Sequence, residues 1–100
     1  MNKLENARKE INRIDKEITK LFEERMKQME DVIIYKMENN LQILDAGREK
    51  EVIERNCKIL VNKELEKYYL DFIENMMRIS KNYQKDILEK NNKKDVNYIY

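Results

Sequence analysis

The sequence predicts an all-α fold with three helices per chain, one long and N-terminal and two shorter. Three observations carry that expectation. The 100 residues include no Pro and one Gly, so both strong helix breakers are almost absent. Apolar side chains recur at three- and four-residue intervals along most of the chain, from Leu4 to Ile87. Charged residues make up 41% and apolar residues only 41%, too little apolar material for a self-contained core in one small domain, so burial is expected to be shared between subunits.

The first helix is expected from about residue 3 to about residue 38. Leu4, Ala7, Ile11, Ile14, Ile18 and Leu21 form a heptad-like stripe that resumes at Val32 and Tyr35. At ~1.5 Å per residue such a rod is on the order of 50 Å long, more than a monomer of this size can cover. Arg25 and Gln28 interrupt the stripe at positions that the heptad reserves for apolar side chains. A register-setting polar contact, a seam turning to solvent and a ligand site are all compatible with them.

Glu38 to Leu44, with Asn39 and Asn40 adjacent, loses the helical pattern and is read as the first connection. Asp45 then has the place and chemistry of an N-cap, with Glu49 and Glu51 near the positive end of the helix dipole. The second helix is expected over about residues 46–61, turning Val52, Ile53, Cys57, Leu60 and Val61 inward. Gly47 in its first turn costs roughly 1 kcal/mol against Ala. A short break at Val61 to Lys63 precedes the third helix, whose stripe includes Leu65, Tyr68, Tyr69, Phe72, Ile73, Met76, Met77, Tyr83 and Ile87. These Met and Tyr residues are read as core rather than as ligands. Residues 1–88 are thus one helical domain. Residues 89–100 are rich in Lys and Asn, lose the stripe, and are expected to fray, with Tyr98, Ile99 and Tyr100 able to dock.

Composition also excludes classes of function. The 21 basic and 20 acidic residues nearly cancel and are interspersed, which argues against a nucleic-acid partner. There is no His, and the single Cys57 reads as a small core residue, so no usual transition-metal ligand set exists and no metal or other cofactor is expected. No stretch approaches the roughly 20 apolar residues of a membrane span, and the N-terminus lacks a signal-like apolar run, so a cytoplasmic protein is expected.

What remains is a set of polar residues placed on helical patterns: Arg8, Arg25, Lys36, Asp45, Arg48, Glu49, Ser80 and Gln84. Singly, Arg8, Arg48 and Lys36 could be solvated charges, and Asp45 could be only a cap. Arg25 and Lys36 differ by ~20° around the first helix and lie ~16 Å apart along it, so both can lean toward one pocket. Arg8 lies ~26 Å from Arg25 and ~100° around the axis, too far for the same small ligand. An antiparallel partner with its dyad near Ile18 to Leu21 would bring Arg8 of one chain level with the Arg25 to Lys36 stretch of the other.

The segments Ala7-Arg8-Lys9-Glu10-Ile11-Asn12-Arg13-Ile14-Asp15, Glu24-Arg25-Met26, Tyr35-Lys36, Asp45-Ala46-Gly47-Arg48-Glu49 and Ser80 through Gln84 resemble, in type and order, the all-helical class of chorismate mutases. The resemblance covers about residues 4–88. It implies an intertwined helical homodimer with one arginine reaching across the interface, and the rearrangement of chorismate to prephenate. That reaction breaks one carbon–oxygen bond as a carbon–carbon bond forms, with no proton transfer, so it needs neither His nor metal. By this resemblance, Arg25 and Arg8 from the partner chain pair with the two carboxylates, and Lys36 and Gln84 donate toward the ether oxygen. Glu49 accepts from the ring hydroxyl with the backbone near Asp45 assisting, while Arg48 and Ser80 complete the polar wall. Two other readings stand beside it: a related isochorismate pyruvate lyase on the same scaffold, and a non-catalytic helical interaction or regulatory module. A partner enzyme of the shikimate pathway is compatible with either enzyme reading.

Overall fold

The computed structural model describes the backbone of residues 2–99 and the side-chain environments of residues 2–92. Helix α1 spans Lys3–Glu38, α2 spans Ala46–Ile59, a single 3-10 turn spans Lys63–Leu65, and α3 spans Glu66–Ile99. No strand occurs among the described residues. Helix α3 packs against both α1 and α2.

Each end of these helices has a local cause. Asn2 caps α1, its Oδ1 accepting from the Glu5 N–H at 2.8 Å. The other end closes in a Schellman arrangement: the Leu41 N–H donates to the Lys36 carbonyl at 2.8 Å and the Asn40 N–H to that of Met37 at 3.4 Å. Between them Asn40 takes the left-handed conformation at φ 55°, which Asn tolerates better than other residues bearing a Cβ. The chain thereby turns back over the last turn of α1, and the connection runs beside Lys36. Asp45 caps α2 through its Oδ1, which accepts from the Arg48 N–H at 3.0 Å. At the far end Lys63 Nζ donates to the Cys57 carbonyl at 2.6 Å, placing a cation where the helix dipole favours one.

Two expectations about these boundaries need correction. Helix α2 stops at Ile59 rather than near residue 61, and Val61 is 94% exposed instead of turned inward. Helix α3 continues through residues 89–99, past the end of the apolar stripe, because nothing in that stretch breaks a helix. The expected docking of Tyr98, Ile99 and Tyr100 falls outside the described side chains.

The core lies where the C-terminal half of α1 meets the middle of α3. Ile33, Ile73 and Met77 are the buried apolar residues among those described, while Val52, Ile53 and Cys57 of α2 and Leu60 just beyond it are half-buried. Three buried apolar side chains are too few to hold a 100-residue chain by themselves. Along the first half of α1 the stripe is uncovered: Ile11, Ile14, Ile18 and Leu21 are 52%, 42%, 50% and 60% exposed. In one chain this apolar face is left open to solvent.

Candidate active site

On α1, Arg25, Met29, Val32 and Lys36 follow one another at intervals of four, three and four residues, and so face one side of the helix. Met77, Ser80 and Gln84 repeat that spacing on α3, with Lys81 beside them. These two faces, closed by Ile43 and Asp45 of the connection and by Arg48, Glu49 and Val52 of α2, enclose a cavity of about 160 Å³. It is comparable to a cavity that holds one benzene-sized ring, on the order of 150 Å³.

Seven of the eight residues singled out in the sequence line this cavity. Arg8 does not. It sits exposed on the free half of α1, 17 residues before Arg25.

The polar contacts are specific. Arg25 Nη1 donates to Ser80 Oγ, and that hydroxyl donates in turn to the Met76 carbonyl at 2.8 Å. Ser80, 5% exposed, is thereby satisfied in both directions. Lys36 Nζ donates to the Ile43 carbonyl at 2.7 Å and to Gln84 Oε1 at 3.0 Å. An ammonium has three donors and no acceptor, so it fixes the Gln84 amide with its oxygen toward Lys36 and keeps one N–H for the cavity. The Gln84 amide nitrogen is left with only the weak acceptor Met29 Sδ at 3.6 Å. Two donors thus converge from opposite walls.

Charge in the cavity is unbalanced. Arg25, Lys36, Arg48 and Lys81 face only two carboxylates, Asp45 and Glu49. Burial first, and the nearby positive Arg48 second, push the Arg25 guanidinium below its ordinary pKa, though a guanidinium stays charged in proteins. Neither Arg25 nor Lys36 has a carboxylate within 4.0 Å among the described residues. The Asp45 carboxylate is engaged as the α2 cap. Glu49 Oε1 is buried, with Lys81 Nζ 3.0 Å away, and a carboxylate has lone pairs left for a further donor. The site therefore offers unpaired cations, directed donors and one open acceptor. An anion carrying a hydroxyl fits that inventory.

Lys81 and the apolar liners Met29, Val32 and Ile43 were not among the expected site residues. Spacing could have found Lys81, which follows Ser80 and precedes Gln84 by three, but 21 Lys and Arg side chains conceal any one of them. A larger cavity of about 560 Å³ lies between α1 and α3, lined by Ile18, Leu21, Phe22, Met26, Phe72 and Ile79 among others. Its size does not make it the reactive site, because its wall is mainly the uncovered apolar face, with Arg25, Tyr68, Asp71 and Asn75 as its polar side chains. Among the described residues, no group of three His, Cys, Asp or Glu is placed to hold a metal ion, and no helix is long and apolar enough to cross a membrane.

A family model described as chorismate mutase type II matches residues 7–85. The chain belongs to the chorismate mutase type II family. It is accordingly an isomerase, with chorismate as the family's substrate. The matched region opens one residue before Arg8 and closes one residue after Gln84, so all eight residues of the constellation fall inside it. Neither a curated protein nor a solved structure matches the chain.

Proposed function

We propose that chorismate is rearranged in the cavity between α1, α2 and α3 by restraint of its compact reactive conformer and by stabilisation of charge developing on its ether oxygen. The observation that carries this reading is the convergence of the unpaired Arg25 with the Lys36 and Gln84 donors in one cavity. Arg25 supplies a planar fork for one carboxylate. The third N–H of Lys36 and the amide nitrogen of Gln84 point the donors at the ether oxygen, and Glu49 accepts from the ring hydroxyl. Arg48 and Ser80 hold the polar wall, and Asp45 sets the start of α2. Arg8 of the partner subunit completes the set in an intertwined homodimer, paired along the uncovered stripe of α1 with its partner antiparallel.

The purified protein should consume chorismate and release prephenate; salicylate and pyruvate as products would instead make it a lyase. Arg25→Met separates binding from folding. Arg25 is held charged against burial and against Arg48, a cost present throughout the physiological range and relieved only above its lowered pKa. The variant should therefore keep or raise the thermal midpoint while kcat/KM falls about a hundredfold or more. Parental activity in a folded Arg25→Met protein would remove Arg25 from the site.

A further inference from the structure

Glu49 is an awkward residue for this site. Its carboxylate projects into a cavity that is to receive a dianion, and one of its oxygens is buried. Arg48 Nη1 lies instead 3.1 Å from Glu51, Arg25 is engaged with Ser80, and Lys36 with Ile43 and Gln84. Among the described residues the one cation within 4.0 Å of Glu49 is Lys81, whose Nζ stands 3.0 Å from Oε1. The pair is formed between α2 and α3, 32 residues apart in the chain, with side chains 25% exposed at Glu49 and 38% at Lys81. Lys81 thus lines the cavity while keeping part of its side chain in solvent. Its ammonium, 3.0 Å from Oε1, restrains Glu49 by charge, and the carboxylate's remaining lone pairs keep accepting capacity for another group.

We propose that Lys81 is a positioning residue: it orients Glu49 and offsets the repulsion between that carboxylate and the incoming dicarboxylate. The proposal rests on the reading of this cavity as the chorismate site. Removing Lys81 lowers the excess of cations over carboxylates in the cavity from two to one, and leaves Glu49 without a cation near it. Both changes weaken the ground-state and transition-state complexes alike, because substrate charge and ring hydroxyl are present in both. The loss belongs in KM rather than kcat.

The experiment is a double-mutant cycle on the full chain, with thermal midpoints recorded for every variant. Lys81→Met, which keeps an apolar stem, should raise KM about tenfold and change kcat by less than about threefold; Lys81→Arg should restore most of the loss. In a Glu49→Gln background, Lys81→Met should raise KM by less than about twofold, since the charge it offsets is gone. KM in that slower background is read from the concentration dependence of the residual rate. Full tenfold effects in both backgrounds, or an unchanged KM in Lys81→Met, would overturn the proposal. A parental protein that does not turn over chorismate would instead overturn the reading on which it rests.

Discussion

Gln84 has one way to face Lys36. Because an ammonium cannot accept, the amide oxygen must turn toward it, and the 3.0 Å contact leaves the amide nitrogen for the proposed role of donor to the ether oxygen. An amide keeps its donors at every ordinary pH, and the sequence has no His, so the rate of the parent should be nearly flat from about pH 5 to about pH 8. Gln84→Glu changes that. A carboxylate at this position binds Lys36 but presents negative charge to the developing oxyanion, and only its protonated form donates. Activity should therefore rise as pH falls. Burial at residue 84 and the charge of Lys36 act on such a carboxyl in opposite directions, so the expected outcome is the sign of the slope, read from kcat across pH 5 to 8. A variant with the flat profile and the rate of the parent would show that residue 84 does not face the ether oxygen. The residues that line this cavity stood out in the sequence because their types are unusual where they stand, as with Arg25 in an apolar seam and Gln84 on an apolar face. Lys81 was not, since a lysine on a charged helix carries no such signal until Glu49 is seen across from it.

At the scale of the elements, what could be read was what local chemistry determines. Asp45 as a cap and the paired Asn39 and Asn40 as a stop are short-range signals, and α1 and the start of α2 follow them. The two misplaced ends depend on something else. Helix α2 ends at Ile59, where Lys63 returns from beyond the break to take the Cys57 carbonyl, a contact invisible in a periodicity. Helix α3 continues where its stripe does not, because loss of an apolar face ends burial rather than helix. Gly47 offers a test at this scale. It has no positive φ, and a Cβ added there would meet only Asp45 Oδ1, at an ordinary 3.6 Å. No steric demand explains the glycine. Gly47→Ala should stabilise the protein by about 0.5–1 kcal/mol in urea denaturation at fixed protein concentration, with kcat/KM near the parental value. Destabilisation would mean that the first turn of α2 is held by its environment in a way the cap alone does not account for.

For the whole molecule, the uncovered half of α1 and the absence of Arg8 from the cavity pose a single problem. One chain extends 64 Å in its longest dimension but buries only three apolar side chains among those described. In the proposed homodimer, packing α1 against an antiparallel copy would cover Ile11, Ile14, Ile18 and Leu21, and would bring each Arg8, ~26 Å from its own Arg25, to the other chain's cavity. Sedimentation at micromolar concentration should then give about twice the chain mass of 12.3 kDa. The sharper test is complementation. Arg8→Ala and Arg25→Ala chains should each be nearly inactive as homodimers, since every cavity lacks one of the two guanidinium forks. In a heterodimer of the two, the Arg8→Ala chain keeps its own Arg25 and receives an intact Arg8, while both lesions fall in the second cavity. Verified heterodimers should regain about half of the parental activity. If they remain as inactive as the homodimers, Arg8 does not act across the interface, and the pairing of α1 with its copy would serve burial alone.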